Sequence, residues 1–266
     1  MIGVTSLHVY PVKSCRGIAL DRAEVTATGF RWDRRWMVVD SDGGFLSQRT
    51  HPALATVSTR LEDDRLILSA PSQPVLEVSL AEPAEGTLPV TIWDDPATAA
   101  GEGEAAAAWF SSLLATPCAL VRQQQDTPRP VDPRYAGPDD VVGFADGYPF
   151  LLISQSSVDD LNDRLPTPVS AARFRANIVV DGCPAYAEDD WTALCIGSVP
   201  FRVAKPCARC SIVGTDQRDG SRDREPLATL AEYRSVGNKV LFGQNLVHQA
   251  GGVVAVGDTV TIVEET

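Results

Sequence analysis

The sequence predicts a mainly β protein of the α+β class, in which β-barrel-like sheets carry a few inserted helices. Short apolar runs rich in β-branched and aromatic residues recur along the chain and are separated by turn-forming residues. Helical periodicity is confined to three stretches. The chain has 266 residues, of which 44% are hydrophobic and 22% charged, so it can bury a core as one large domain or two smaller ones.

The first hundred residues contain four stretches that are predicted to be strands. They cover residues 7–10, 36–39, 66–68 and 90–93. The Asp-Gly-Gly sequence at 42–44 predicts a hairpin turn between strands at 36–40 and 45–48, and the acidic segment 62–64 predicts a second turn. Because strands joined by short turns pair antiparallel, this part is predicted to form an antiparallel sheet or barrel.

The three helical stretches differ in how clearly they begin. Residues 104–114 combine an alanine run with apolar side chains at i,i+4 spacing. A second helix is predicted to begin at Ser157, with Asp160 three residues later completing an approximate capping box. A third is predicted to have Pro226 as its first helical residue, because proline lacks the amide hydrogen that this position leaves unpaired.

The segment 122–134 is the predicted domain boundary. It is polar, contains three prolines and lacks apolar periodicity. It divides the chain into predicted domains at residues 1–125 and 135–266. The second domain is again predicted to be β-rich, with strand-like runs at residues 150–153, 178–180, 253–256 and 259–263.

Charge and cysteine content limit the partners and the location of the protein. With 23 basic against 35 acidic residues the formal net charge is −12, which disfavours a nucleic-acid polymer as partner. No run approaches the roughly 18–20 apolar residues of a membrane-spanning helix, and the N-terminus lacks the pattern of a signal peptide. Six dispersed cysteines indicate reduced thiols. The sequence therefore predicts a cytoplasmic protein with no membrane association.

The pair Cys207-x-x-Cys210 is the sharpest chemical feature. A zinc site would need two further ligands at short spacing, and a thioredoxin-like dithiol would need a following helix, whereas residues 211–215 are predicted to continue as strand and turn. Two small buried hydrophobic side chains remain an alternative. However, Lys205 and Arg209 flank the pair, and neighbouring cations favour the thiolate that binds soft metals. A working thiol is therefore favoured.

Lys13, Arg34 and Arg175 each lie beside an apolar run. Each could lay its aliphatic stem on the core and extend its charge to water. If they converge instead, they would form a pocket for a phosphate or another anion. Asp146, which precedes Gly147, is open to both a turn-forming and a functional interpretation. Neither a dinucleotide nor a P-loop motif is present, so the electrons for any redox chemistry must come from elsewhere.

Seven ordered motifs point to a known family. They are residues 10–14 (YPVKS), 33–34 (DR), 144–150 (FADGYPF), 174–179 (FRANIV), 205–210 (KPCARC), 225–227 (EPL) and 242–246 (FGQNL). Together they resemble the MOSC superfamily, specifically proteins in which a MOSC N-terminal β-barrel domain precedes a MOSC domain. Within it, the motifs are similar to those of the mitochondrial amidoxime-reducing components and of bacterial proteins that protect against N-hydroxylated purine bases.

The resemblance implies a pterin-dithiolene molybdenum cofactor, with Cys210 as the protein ligand to molybdenum. Asp146 would lie close to the metal as a second catalytic residue. The residues implied to bind the pterin and its phosphate, or to line the same cavity, are Lys13, Ser14, Arg34, Gly147, Tyr148, Arg175, Asn177, Ala208, Arg209 and Asn245. Because Asn245 stands where some relatives have tyrosine, the substrate preference is expected to differ from that of the animal enzymes.

The implied activity is reductive cleavage of the N–O bond in small N-hydroxylated compounds, a detoxification reaction. Bacterial relatives often carry an iron–sulfur domain and animal relatives a membrane anchor, but no cysteine follows Cys210 and the chain begins at the predicted barrel. A separate ferredoxin, flavodoxin or cytochrome-type protein is therefore expected to supply electrons. The alternative is a non-catalytic carrier of the cofactor or of sulfur on Cys210, because MOSC domains also end cofactor sulfurases, whose pyridoxal-phosphate domain has no counterpart here.

Overall fold

The computed structural model describes residues 1–81, 85–124 and 129–263, and it confirms the mainly β class. The strands are β1 (Gly3–Val9), β2 (Ile18–Leu20), β3 (Arg22–Thr26), β4 (Gly29–Phe30), β5 (Trp36–Val39), β6 (Ser58–Glu62), β7 (Arg65–Ser69), β8 (Leu76–Ser79), β9 (Glu85–Ile92), β10 (Asp95–Gly101), β11 (Ala119–Gln123), β12 (Arg129–Pro130), β13 (Val141–Val142), β14 (Phe150–Ser154), β15 (Ile178–Asp181), β16 (Ala193–Ile196), β17 (Val199–Arg209), β18 (Ser235–Val236), β19 (Lys239–His248), β20 (Gly252–Ala255) and β21 (Val260–Val263). The α-helices are α1 (Gly103–Leu114), α2 (Gln155–Asn162) and α3 (Leu227–Tyr233). Single 3-10 turns of helix cover Pro52–Thr56, Ala171–Phe174, Ala187–Asp190 and Ser211–Gly214.

The largest sheet combines the first strands of the chain with strands of its second half. Its order is β2-β1-β15-β14-β19-β17-β16-β21, with β18 paired to β19. Strands β14 and β15 run parallel, whereas β1 pairs antiparallel with β15. In the core of this sheet Phe150 packs edge-on against Phe30 and Phe201, with ring centroids 4.9 and 5.3 Å apart. Because β1 lies inside the sheet, the segment that follows it starts next to residues of the second half.

Most of the remaining strands of the first half form two smaller sheets, β5-β11-β10-β9 and β6-β7-β8, whereas β3 and β4 form a sheet with β20 of the second half. Helix α1 confirms the predicted helix at 104–114, and its Trp109 and Phe110 are buried in a core shared with Trp36. The turn predicted at 62–64 is confirmed, because it joins β6 to β7. The turn at 42–44 is also confirmed, but the strand predicted after it is reduced to isolated bridges at Gly44 and Phe45.

Two predicted helix starts and one predicted strand are wrong. Helix α2 begins before Ser157, because the side chain of Ser154, the last residue of β14, accepts a hydrogen bond from the Ser157 amide and caps the helix. Pro226 caps α3 rather than opening it. The segment Ser211–Gly214 is a 3-10 helix instead of a strand. Here the chain passes so close to itself that a Cβ at Gly214 would lie 2.2 Å from the carbonyl oxygen of Asp223.

The predicted boundary segment is partly ordered in strands. Residues 122–123 complete β11, and β12 pairs with β13 on the far side of residues 125–128, which lie outside the described residues. The division into domains at 1–125 and 135–266 stays a prediction. Within the described residues, no helix is long and apolar enough to cross a membrane.

Candidate functional site

All twelve predicted site residues line the same cleft, which has a volume of about 810 Å³ including its open mouth. Residues of both halves of the chain contribute to it. The predicted residues that it brings together are Lys13, Ser14, Arg34, Asp146, Gly147, Tyr148, Arg175, Asn177, Ala208, Arg209, Cys210 and Asn245. The convergence that the sequence could not show is therefore present in the structure.

Lys13 enters the cleft from a segment anchored to β5, since its amide donates to the carbonyl of Trp36 at 2.8 Å. Its side chain is 7% exposed, and its ammonium donates to the carbonyl of Phe144 at 2.8 Å and to the carboxylate of Asp146. Burial lowers the pKa of Lys13, and the adjacent carboxylate opposes this shift. Lys13 and Asp146 are thus an ion pair at one wall of the cleft.

Asp146 faces the cleft with 59% of its side chain exposed. Loss of contact with water by itself would raise the pKa of its carboxyl group, but the ammonium of Lys13 lowers it to about 2, with smaller contributions from Arg49 and Arg34. Asp146 is therefore a carboxylate at neutral pH. It can accept hydrogen bonds or a proton, but it is not a proton donor there.

The guanidinium groups of Arg34 and Arg175 both contact the ring of Tyr10, at 4.2 and 4.3 Å from its centroid. Arg34 is paired with Asp33 at 2.6 Å, while Arg175 donates to the carbonyl of Cys15 at 2.7 Å. Burial, and then the proximity of Arg34, lower the pKa of Arg175 to about 10. Arg175 therefore remains a cation at neutral pH, and it lies with Arg34 at this wall of the cleft.

Three of the cleft residues have left-handed backbone conformations, with φ of 70° at Ser14, 45° at Arg34 and 55° at Arg175. Such values are uncommon for residues other than glycine and cost free energy that the surrounding structure must offset. Arg175 reaches its value as the residue that ends the 3-10 helix Ala171–Phe174. Left-handed backbone therefore occurs where two of the cationic side chains, those of Arg34 and Arg175, enter the cleft.

Cys210 follows β17 in an extended conformation and is partly exposed to the cleft. Its Sγ lies 3.7 Å from Nη1 of Arg49. The other cysteine of the pair, Cys207, accepts a hydrogen bond from Nη1 of Arg209 at 3.0 Å and packs on the apolar cluster that contains Phe174. The two sulfurs therefore have different surroundings, and Cys210 is the one beside an arginine from the other half of the chain.

The donor set of the cleft suits an anionic group that brings its own metal. Nowhere in the described ranges do three His, Cys, Asp or Glu side chains gather, so a metal held by Cys210 would take its other donors from a bound group. Two buried polar atoms of cleft residues, the Tyr148 hydroxyl and Nε of Arg209, have no hydrogen-bond partner within the described structure. Buried polar atoms are normally paired, so these two are available to such a group.

Asn177 lines the cleft, but its side chain is bonded to the protein itself and is less directly placed for a ligand than the sequence suggested. It is 2% exposed, and its side-chain amide is used inside the protein: Nδ2 donates to the carbonyl of His8, and Oδ1 accepts from Arg34 and from the amide of Leu151. Asn177 therefore links β1 to β14 and orients Arg34 at the edge of the cleft.

The side chain of Asn245 donates to the carbonyl of Lys205 at 3.3 Å.

Several cleft residues were missed by sequence reasoning. They are Phe45, Ser47, Arg49, Ala145, Leu151, Phe174, Ile212 and Val213. Most are apolar side chains whose role as walls depends on tertiary packing. Arg49 follows the polar pair Ser47-Gln48, and isolated cations in polar segments are common on protein surfaces, so no signal in the sequence indicated it.

Two known family models match this chain, one in each half. Residues 1–117 match the model of the MOSC N-terminal beta barrel domain, and residues 139–261 match that of the MOSC domain. Mitochondrial amidoxime-reducing component 1 of Mus musculus is 37% identical, over 97% of this chain and 81% of that protein. The Homo sapiens protein of the same name is 36% identical, over 97% and 82%.

A second kind of relative shares the same region. Molybdenum cofactor sulfurase of Oryza sativa subsp. japonica is 34% identical over 91% of this chain, but the match covers 32% of that protein. The similarity to the amidoxime-reducing components extends over most of both chains, whereas the similarity to the sulfurase is confined to one part of it. The chain therefore belongs to the MOSC family, as a protein with a MOSC N-terminal β-barrel domain followed by a MOSC domain.

Proposed function

We propose that this protein is a molybdenum-cofactor-dependent oxidoreductase that reduces N-hydroxylated compounds. One observation carries the proposal: buried cations and a partly exposed thiol that accepts a hydrogen bond from Arg49 converge on the same cleft. The names of two similar relatives include amidoxime reduction, and a further relative is a molybdenum cofactor sulfurase. These two kinds of relative support molybdenum-dependent reduction as the chemistry of the cleft.

The residues of the cleft fit the pterin-dithiolene form of the cofactor. Arg34 and Arg175 would hold its phosphate with charge-assisted hydrogen bonds, and Ser14 would contribute a hydroxyl between them. Cys210 would ligate molybdenum through its thiolate, a soft donor that suits a metal bound by sulfur. When bound, the cofactor supplies the two electrons that N–O cleavage requires.

The protein's own groups orient the substrate. Reduction of an amidoxime breaks the N–O bond with two electrons and two protons and releases an amidine and water. Asp146 is positioned to accept a hydrogen bond from the substrate's amino group, because its carboxylate is exposed to the cleft and held by Lys13. Its low pKa excludes it as the acid, so the protons come from water.

The electrons must reach the cleft from a separate protein. The sequence contains no dinucleotide-binding motif that would let the chain take hydride from NADH or NADPH. A ferredoxin, flavodoxin or cytochrome-type donor fits this requirement. Its surface of contact would lie near the open mouth of the cleft, where Cys210 is partly exposed.

A carrier function is the second candidate, because the match to the rice sulfurase covers 91% of this chain. A carrier would bind the cofactor or sulfur at Cys210 without turnover. The test is to purify the protein from a host that makes molybdenum cofactor and to supply an amidoxime and a reduced artificial electron donor. We expect stoichiometric molybdenum and formation of the amidine. Bound molybdenum without turnover would favour the carrier, and absence of molybdenum would contradict both the reductase and a carrier of the cofactor.

A further inference from the structure

Arg49 is a cation at the cleft whose guanidinium is fixed in direction. Its backbone is held in a turn, since its amide donates to Oγ of Ser47 at 3.3 Å and its carbonyl accepts from the guanidinium of Arg222 at 2.5 Å. Its guanidinium lies 4.2 Å from the ring centroid of Trp93 and 5.5 Å from that of Phe45. From this aromatic backing it points to Sγ of Cys210, 3.7 Å away.

Trp93 is an exposed aromatic residue that the structure nevertheless fixes in place. It is 51% exposed, has a φ of 59° and occupies the turn between β9 and β10. Two residues later, Asp95 pairs at 2.9 Å with the buried Arg129, which also donates to the carbonyls of Gly143 and Ala145. The turn that carries Trp93 is therefore tied to the loop that carries Asp146.

The charge of Arg49 is less compensated than that of its neighbours. Lys13 is paired with Asp146 and Arg34 with Asp33, whereas the ion pairs found in the described ranges include none for Arg49. Arg49 contributes to the low pKa of Asp146 through its field, without forming an ion pair with it. An arginine has five N–H donors, and the contact with Cys210 uses one of them. The others can meet a ligand.

We propose that Arg49 is a charge filter of the cleft, which binds neutral N-hydroxylated substrates and weakens the binding of their cationic reduction products. The inference rests on the proposed reductase function. A neutral amidoxime accepts two electrons and two protons, loses its oxygen as water and becomes an amidine. The amidine is a much stronger base than the amidoxime, because the electron-withdrawing hydroxyl group is gone, and it takes up a further proton at neutral pH. The reaction thus turns a neutral ligand into a cation beside Arg49.

Trp93 is the positioning residue of this arrangement. Contact with its ring holds the guanidinium of Arg49 against the wall of the cleft. The guanidinium is thereby directed towards Cys210. The N–H groups of Arg49 then donate to the oxygen of the N–O group of a neutral substrate. The same charge repels an amidinium, so product leaves more easily than substrate.

The test compares Arg49→Gln, Arg49→Lys and Trp93→Leu with the wild-type protein and with Arg60→Gln, an exposed arginine on β6. Equilibrium binding of benzamidoxime and of benzamidine is measured by calorimetry near neutral pH on the purified, cofactor-loaded protein, together with KM for benzamidoxime and Ki for benzamidine. Molybdenum and pterin content are measured on each variant.

We expect the wild type and Arg60→Gln to bind benzamidoxime more tightly than benzamidine. Removing a cation close to a bound cation should tighten benzamidine by about tenfold in Arg49→Gln, with a matching fall in Ki, whereas Arg49→Lys should stay near the wild type. Trp93→Leu should raise KM for benzamidoxime more than it changes kcat, because the guanidinium of Arg49 keeps its charge but is no longer held in position.

An unchanged ratio of the benzamidoxime and benzamidine affinities in Arg49→Gln would overturn the proposal. Loss of molybdenum and pterin from that variant would also overturn it, because Arg49 would then be a cofactor ligand. Failure of the proposed function has a different signature. It would appear as wild-type protein without turnover, whereas the filter is judged by the shift in affinity between the two ligands.

Discussion

Each cation of the cleft has a different use, which follows from what it contacts. Lys13 neutralises Asp146, Arg34 is paired with Asp33, and Arg175 is held by a carbonyl oxygen and by the face of Tyr10. A group with a free positive charge and few competing carboxylates is the one that binds an added anion most strongly. Among the predicted phosphate ligands this points to Arg175.

Replacing Arg175 by alanine should strip the cofactor and leave the fold largely intact. The loss of a charge-assisted contact to phosphate removes roughly 1.5–3 kcal/mol of binding free energy. Pterin content after dilution is the measurement, with far-ultraviolet circular dichroism as the check on folding. Arg173→Ala is the control, because Arg173 pairs with Asp216 and does not line the cleft. Full pterin content in Arg175→Ala would show that the anion pocket is wrongly placed.

The ion pair between Lys13 and Asp146 should make stability depend on pH in the acid range. The pKa of Asp146 falls from 3.8 to about 2 on folding, so between these values the unfolded chain binds more protons. Asp146 therefore contributes stability above about pH 4 and loses it as pH falls towards 2. Urea unfolding of the wild type and of Asp146→Asn across this range measures the effect. An identical pH dependence of the two proteins would contradict it.

At the residue scale, residue patterns and the family resemblance together identified most of the polar residues of the cleft, but they could not show their geometry. Lys13, Arg34 and Arg175 stood out as cations beside apolar runs. Arg49 did not, because its significance depends on Trp93, which is 44 positions away in the chain (93 minus 49) and meets it through the packing of two hairpins. Contacts of this kind are set by sheet register, which single residues do not encode.

At the scale of elements, periodicity predicted the existence of strands and helices better than their ends. Helix α1 was predicted correctly because its alanine run and apolar spacing agree. The start of α2 was not, because Ser154 is both the last residue of β14 and the cap of the helix, and Ser157 offers the same side chain three positions later. The sequence does not distinguish two serines with equal capping ability.

Replacing Ser154 by alanine should destabilise the protein by about 1–2 kcal/mol. The buried hydroxyl caps α2 by accepting from the amide of Ser157, and its loss leaves that amide without a partner. The free energy of unfolding in urea is the measurement. Ser69→Ala, on an exposed position of β7, should change it by less than about 0.5 kcal/mol. Equal effects of the two substitutions would refute the assignment of the cap.

At the scale of the whole molecule, the cleft depends on the entry of the N-terminal strand into the sheet of the second half. Strand β1 pairs with β15, and the segment from Tyr10 to Ser14 leaves this sheet to reach β5. Lys13 from this segment and Asp146 from the second half then meet at one wall. Strand content could be predicted from the sequence, but this topology could not, because pairing between distant strands leaves no local signal.

The protein as a whole should depend on a partner for electrons. With an amidoxime present, the purified chain should not oxidise NADH or NADPH, because it contains no dinucleotide-binding motif. Absorbance at 340 nm follows the reaction, and addition of a ferredoxin or cytochrome with its reductase should start it. Oxidation of NADPH by the chain alone, in a preparation free of reductase, would contradict the need for a separate donor.

The central claim is that Cys210 holds the metal of a molybdenum cofactor in this cleft, and metal analysis of a matched pair of variants tests it most directly. Wild type, Cys210→Ser and Cys207→Ser are made in a host that synthesises the cofactor, and molybdenum, pterin and amidoxime reduction are measured for each. Serine offers a hard hydroxyl in place of a soft thiolate, so Cys210→Ser should be inactive even where pterin remains. Cys207→Ser, which loses a contact with Arg209, should keep molybdenum and activity at a cost in stability of about 0.5–3 kcal/mol. Full molybdenum content and activity in Cys210→Ser would contradict the account.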